Sequence, residues 1–167
     1  MEAIWSRELR HHSLTKITAY VFISAIASLF SSISAHSAAT NPIIAEACTG
    51  VCEIIVEHAD AGRSAGSGFL IDRKLGLVVT NCHVVAGGIR GRLSFEGDPN
   101  EPSFSVLGYS IDADIAILCI DPIANKQILD NCHEFKMATN SPAPGTDVYA
   151  IGYPGGWGFT VLRGIVN

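Results

Sequence analysis

Charged and aromatic residues are scarce in this chain of 167 residues. Charged side chains make up 16% of the residues and aromatic ones 8%, whereas hydrophobic residues reach 48%. Because disordered chains combine low hydrophobicity with high charge, this composition favours a globular protein. The net charge is −5 and no block of like charges occurs, which argues against a broad nucleic-acid-binding face.

Long helical patterns are also missing from the middle of the chain, where short strand-like runs alternate with turn residues. Sixteen glycines against seven prolines suit a chain with many tight turns. In one of these turns, residues 72–76, Gly76 is free to take a positive φ. Strands at such spacing predict an all-β sandwich or small barrel. The six predicted strands are 51–57, 67–71, 77–80, 90–95, 104–110 and 115–120.

A second group of strands is predicted near the end of the sequence, at 147–151 and 160–166. Between the two groups we expect a surface connection with a helical turn or two within 125–135. The glycine-rich loop 152–158 lacks the lysine and the Ser/Thr of a phosphate-binding P-loop, and no helix follows it. Two strands do not form a stable domain alone, so this second unit is expected to be cut off.

The first 39 residues differ in kind from the rest. Arg7, Arg10 and Lys16 precede an apolar stretch at 17–33, and small residues follow it. This pattern predicts a cleaved secretory signal peptide. An uncleaved membrane anchor is the main alternative, because the stretch is near the lower length limit of a span. A transit peptide for an organelle is a third. We therefore expect a secreted, periplasmic or otherwise exported protein, with residues 40–50 as a linker into the folded part.

Five cysteines follow this leader, and their number is odd. An exported protein can form disulfides, but at least one thiol would then stay free or pair outside the chain. The pairs Cys82–His83 and Cys132–His133 resemble metal ligands. Adjacent residues on a strand point to opposite faces, however, so buried or disulfide-bonded cysteines are predicted instead. A cysteine-based metal or redox protein stays open only as a minor alternative.

Five segments, in this order, resemble the trypsin-like serine proteases and, among these, the HtrA/Deg-type branch. The resemblance covers residues 48–167 and implies a double β-barrel fold with a polypeptide substrate and no metal or organic cofactor. It assigns a first barrel to 40–121, a connector to 122–146 and the opening strands of a second, truncated barrel to 147–167. The segments are Gly-Ser-Gly-Phe-Leu-Ile at 66–71, Val-Val-Thr-Asn-Cys-His-Val-Val at 78–85, Asp-Ile-Ala-Ile-Leu at 114–118, Ala-Ile-Gly-Tyr-Pro at 150–154 and Thr-Val-Leu-Arg-Gly-Ile-Val at 160–166.

The resemblance also assigns His83 as a general base and Asp114 as the carboxylate that orients it. A serine hydroxyl is a poor nucleophile until an imidazole takes its proton, and the carboxylate fixes the tautomer of that imidazole. Asp112 competes for this role, because it would share a face with Asp114 on a regular strand. Asp114 is favoured because it directly precedes the apolar strand, as in the family motif.

The nucleophile of the family is missing from this sequence. Its Gly-x-Ser-Gly-Gly motif does not follow Asp114, and Ser141 is the single later serine. Cys132 is a poorly placed substitute. The favoured hypothesis is a fragment of a serine endopeptidase that is inactive by itself. The alternative is a non-catalytic, protease-like binding or regulatory protein. The substrate preference and the oligomeric state are left open.

Overall fold

The computed structural model of the protein describes residues 41–167, so the predicted signal peptide or anchor at 1–39 lies outside the described residues. Within this range, no helix has the length and apolar character needed to cross a membrane. Strands dominate the described part, which confirms the all-β prediction. The elements are α1 (Pro42–Cys48), β1 (Val51–His58), β2 (Arg63–Asp72), β3 (Leu77–Thr80), α2 (Cys82–Val85), β4 (Gly88–Phe95), β5 (Ser105–Ser110), β6 (Ile115–Cys119), α3 (Lys126–Asn131), β7 (Asp147–Gly152), a 3₁₀ turn (Pro154–Gly156) and β8 (Thr160–Ile165).

The larger sheet contains six antiparallel strands in the order β4-β1-β2-β3-β6-β5. Its two edges approach each other, because a bridge joins Arg92 of β4 to Ser103 just before β5. The Leu93 amide also donates a hydrogen bond of 3.0 Å to the Pro102 carbonyl. The sheet therefore curls toward a barrel.

The core lies inside this curl and is built from alternate residues of the strands. Gly68 shows how closely the strands approach, since an added Cβ would lie 2.7 Å from Ile54 Cδ1 and 2.9 Å from Val78 Cγ1. Gly76 has φ +65°, which confirms the turn predicted there. The buried core residues are Cys52, Ile54, Val56, Leu70, Val78, Val84, Leu93, Phe95, Ala116, Leu118, Ile120, Ile128, Leu129 and Cys132.

The expectation of a linker at 40–50 is wrong, since α1 occupies most of that segment. The Asn41 side chain caps the helix by accepting a hydrogen bond of 3.0 Å from the Ile43 amide, and Pro42 stands at the first helical position. Both residues suit a helix start, because a cap satisfies a free amide and proline has none to satisfy. The Asn41-Pro42 pair is therefore a local signal for a helix start that the linker interpretation did not use.

Strands β7 and β8 form a separate two-stranded sheet, with Asp147 opposite Ile165 and Gly152 opposite Thr160. We call this unit, residues 147–165, the C-terminal hairpin. It contacts the larger sheet through Tyr153, whose amide donates a 2.8 Å hydrogen bond to Ser67 Oγ. The Tyr153 hydroxyl donates a 2.6 Å bond to Glu96 Oε2. Glu96, which directly follows β4, thus anchors the hairpin to the larger sheet.

Candidate active site

His83 lies on α2, the single helical turn that follows β3. The Thr80 hydroxyl donates a 2.8 Å hydrogen bond to the Ser67 carbonyl, which fixes the end of β3 against β2. Val84 is buried and lies so close to β2 that a Cβ on Gly66 would come within 2.5 Å of Val84 Cγ2. Because Val84 faces the core, the neighbouring His83 points outward, and 56% of its side chain is exposed.

Asp114 lies in the turn 111–114 between β5 and β6 and not on a regular strand. Its amide donates a 3.1 Å hydrogen bond to the Ile111 carbonyl. Its φ is +49°, a left-handed conformation that non-glycine residues rarely adopt. The expectation that Asp112 and Asp114 share a strand face is therefore wrong, because the chain turns between them.

The structure brings the two predicted site residues together. His83 Nδ1 lies 2.7 Å from Asp114 Oδ2, and the His83 amide donates a 2.9 Å hydrogen bond to Asp114 Oδ1. An ionised carboxylate only accepts hydrogen bonds, so Nδ1 carries the proton and the lone pair is on Nε2. An imidazole in this tautomer can accept a proton at Nε2, as a general base must.

The same carboxylate has a further donor in Asn81. Its Nδ2 lies 3.0 Å from the Asp114 carbonyl and 3.1 Å from Asp114 Oδ2. Partial desolvation raises the pKa of Asp114, but the hydrogen bonds from His83 and Asn81 outweigh it and hold this pKa below its usual range. Asn81 lies within the sequence segment 78–85, but the sequence alone indicates no role for it. Its position two residues before the histidine was the available signal.

A second serine–histidine pair lies elsewhere and does not have the same chemistry. Ser64 Oγ donates a 2.8 Å hydrogen bond to the Val84 carbonyl and lies 3.0 Å from His58 Nε2. A hydroxyl has one proton, and this one is used on Val84, so His58 must be the donor to Ser64. Since His58 then has no lone pair directed at the hydroxyl, it does not activate Ser64 as a nucleophile.

The cysteines offer no substitute nucleophile in the described residues. All five are free thiols. Cys132 is buried in the core, and burial, followed by the nearby charge of Asp98, raises its pKa to about 12. It is therefore a protonated, inaccessible thiol at neutral pH. Between residues 41 and 167, no cluster of three or more His, Cys, Asp and Glu side chains could hold a metal ion.

A family model described as "Trypsin-like peptidase domain" matches residues 66–167 of this chain. The chain belongs to the trypsin-like peptidase family. Its match begins at the first glycine of β2 and includes both His83 and Asp114. The resemblance inferred from the five sequence segments is thereby confirmed at the level of the family.

Two curated relatives of this trypsin-like chain are named as proteases. The "Probable periplasmic serine endoprotease DegP-like" of Buchnera aphidicola is 39% identical over 123 residues, which cover 72% of this chain and 24% of that protein. "Protease Do-like 1, chloroplastic" of Arabidopsis thaliana is 31% identical over 106 residues, with 63% and 23% covered. The chain thus spans about a quarter of the length of these relatives.

Two solved protease structures support the trypsin-like fold of this chain. A serine endoprotease from Yersinia pestis superposes with a TM-score of 0.61 at 26% identity, covering 73% of this chain and 42% of that one. A protease from M. tuberculosis in its active form gives a TM-score of 0.62 at 26% identity, with 83% and 60% covered. These matches confirm the predicted trypsin-like β fold.

Proposed function

We propose that this chain provides the histidine and aspartate of a serine endopeptidase, with His83 as general base and Asp114 as its orienting carboxylate. The observation that carries the proposal is the 2.7 Å bond between His83 Nδ1 and Asp114 Oδ2, found on a trypsin-like sheet. The other histidine–carboxylate pair in the described residues, His133 with Glu46, is longer at 3.2 Å.

The proposed reaction follows from the free lone pair on His83 Nε2. A serine hydroxyl placed against this atom would lose its proton as it attacks the peptide carbonyl. The imidazolium that forms is stabilised by the Asp114 carboxylate and then donates the proton to the leaving amine. No Gly-x-Ser-Gly-Gly motif follows Asp114 within the 167 residues, so the serine and the oxyanion donors would come from residues outside this sequence.

We also propose a polypeptide substrate and an exported location. The substrate follows from the protease names of the relatives. The location rests on the basic and apolar pattern of residues 1–39 and on the word "periplasmic" in the name of one relative, while another is named as chloroplastic. A net charge of −5 gives no support for nucleic acid as a partner.

The test begins with the reading frame beyond the codon for Asn167. If it continues into a Gly-x-Ser-Gly-Gly motif, the longer product is assayed for casein cleavage and for labelling by a fluorophosphonate. We expect His83→Ala to lower kcat by about 10⁴-fold or more. His133→Ala is the matched control, because it removes an imidazole whose partner is Glu46 and not Asp114.

Two outcomes would contradict the proposal. A longer product that cleaves casein equally well with and without His83 would remove the histidine from the mechanism. A stop codon directly after Asn167 would leave no serine for His83 to activate. In that case the non-catalytic alternative, a protease-like binding or regulatory protein, would be pursued by measuring which polypeptides the 167-residue chain retains.

A further inference from the structure

We propose that Asn81 is a positioning residue that holds the Asp114 carboxylate against His83. The inference rests on the proposed function, since it describes how the His83–Asp114 pair is kept in its geometry. Asn81 acts through Asp114, because both hydrogen bonds of its Nδ2 go to that residue. The observations that carry it are the burial of Asn81, its two bonds to Asp114 and the backbone conformation of Asp114.

The side chain of Asn81 makes a two-point contact with one residue. Its Nδ2 donates to the Asp114 main-chain carbonyl at 3.0 Å and to Asp114 Oδ2 at 3.1 Å. A contact that joins the backbone and the side chain of the same residue fixes the torsion between them. The Asp114 carboxylate is therefore not free to rotate away from His83 Nδ1.

The orientation of the Asn81 amide follows from charge. If the amide were turned over, Oδ1 would face the Asp114 carbonyl and its carboxylate, and three acceptors would meet with no proton among them. The NH₂ group must therefore point at Asp114. This leaves Oδ1 buried, and it has no hydrogen-bond partner in the described part of the chain.

The two ends of the Asn81 amide differ in how they are paired. Asn81 is only 8% exposed, and a buried carbonyl without a partner opposes folding. An apolar side chain of the same size would avoid that cost. What the apolar side chain could not supply is the NH₂ group that Asp114 accepts.

Asp114 needs such support because of its own backbone. Its φ of +49° is a left-handed conformation that disfavours a residue with a Cβ. Cases of this kind persist when the surroundings over-determine them, and they cluster at functional sites. The Asn81 bond to the Asp114 carbonyl acts directly on the peptide that follows this strained residue.

The test replaces Asn81 with leucine, which has a similar size and no donor. In the 167-residue chain, the Asp114 carboxyl is titrated by carbon-13 NMR. We expect the Asn81→Leu change to raise the Asp114 pKa, because a hydrogen bond to the charged form is lost. By linkage, the higher pKa lowers the free energy of unfolding at neutral pH. Asn81→Ala serves as a second variant if leucine does not fit.

The control is Asn100→Leu, because Asn100 also donates to a carboxylate, that of Asp98, at 2.6 Å. It is expected to leave the Asp114 titration where it was. An Asp114 pKa that is unchanged in both Asn81 variants would overturn the proposal. So would an equal shift in the Asn100 variant.

The kinetic arm uses the longer product described above and separates the two proposals. We expect Asn81→Leu to lower kcat by about 10²-fold with KM nearly constant, since a displaced base impairs chemistry and not binding. Unchanged kcat would contradict the positioning role even if the NMR result were as expected. If the wild-type product shows no activity, the proposed function fails, while the NMR arm still tests the contact itself.

Discussion

The six-stranded sheet and the C-terminal hairpin both contain strands rich in apolar residues, yet these side chains differ in burial. In β6, Ala116 and Leu118 are fully buried. In the hairpin, Val148 and Leu162 are exposed by 36% and 56%. The difference shows that apolar content predicts a strand but not a core, since burial also needs a second surface to pack against. The larger sheet provides that surface by curling on itself, and the hairpin meets it mainly through Tyr153.

The largest effect that would test this contrast is a cavity in the sheet. Leu118→Ala should lower the free energy of unfolding by about 2–5 kcal/mol, because the buried side chain is lost and leaves a void. Leu162→Ala in the hairpin should change it by less than about 0.5 kcal/mol. Urea denaturation of the 167-residue chain measures both. Similar losses at the two positions would show that the hairpin is packed as tightly as the sheet.

Overpacking gives the next largest effect. Gly68→Ala should cost about 1–3 kcal/mol, because the new methyl group would press on Ile54 and Val78 in the core. Gly108→Ala on β5 is the matched control, since its Cβ would meet nothing within 4 Å. Thermal unfolding followed by circular dichroism compares them. A Gly108 variant as unstable as the Gly68 variant would contradict the steric explanation.

The contact between the two regions is tested by Tyr153→Phe. Burial first, and then the hydrogen bond to Glu96, raise the pKa of the Tyr153 phenol, so it stays a donor at all ordinary pH values. Removing the hydroxyl should cost about 1.5 kcal/mol or less and accelerate amide exchange in β7 and β8.

A double-mutant cycle with Glu96→Ala shows whether the effect comes from that bond. The two single changes should not add, because each breaks the same interaction. Strict additivity, or exchange that accelerates in β1 and not in the hairpin, would show that Tyr153 does not join the two regions.

The smallest expected effect is the contribution of Asp114, next to β6 of the larger sheet, to stability at acidic pH. The folded-state pKa of Asp114 lies below its unfolded value, so its contribution is present above about pH 3.9 and is lost as the pH falls through the lower, folded pKa. The side chain is 44% exposed, so screening limits the effect to less than about 1 kcal/mol. Asp114→Asn should reduce the fall in the free energy of unfolding at acidic pH, as measured from pH 2 to 7.

Asp147→Asn in the hairpin is the control for that titration, because it removes an exposed ion pair with Arg163. Comparing the two variants shows whether the change in acid stability is specific to Asp114. If the loss of stability at acidic pH disappears in the Asp147 variant and persists in the Asp114 variant, its source lies in the hairpin and not in the sheet.

Local patterns in the sequence accounted for much of the sheet. Strand β3 was predicted with its observed bounds at Leu77–Thr80, and the turn at Gly76 followed from the freedom of glycine at positive φ. The resemblance to the family segments assigned His83 and Asp114. Each of these features depends on a short local segment, which is why the sequence indicates it.

Features that depend on distant residues escaped sequence analysis. The Asn81 amide bonds a residue 33 positions later, and Tyr153 bonds one 57 positions earlier. Such partners are set by strand register and by how far the sheet curls, neither of which a local pattern records. The left-handed turn at Asp114 was missed for the same reason, since a strand pattern begins immediately after it.

Gly66 is expected to tolerate substitution poorly, although it lies outside the His83–Asp114 pair. The space that Val84 occupies is the space that a side chain at position 66 would take. Any larger residue there would push α2 outward and carry His83 with it, away from Asp114. In a mutational scan that depends on the His83–Asp114 contact, substitutions at Gly66 should therefore be tolerated as poorly as substitutions at His83 and Asp114, although Gly66 has no functional group.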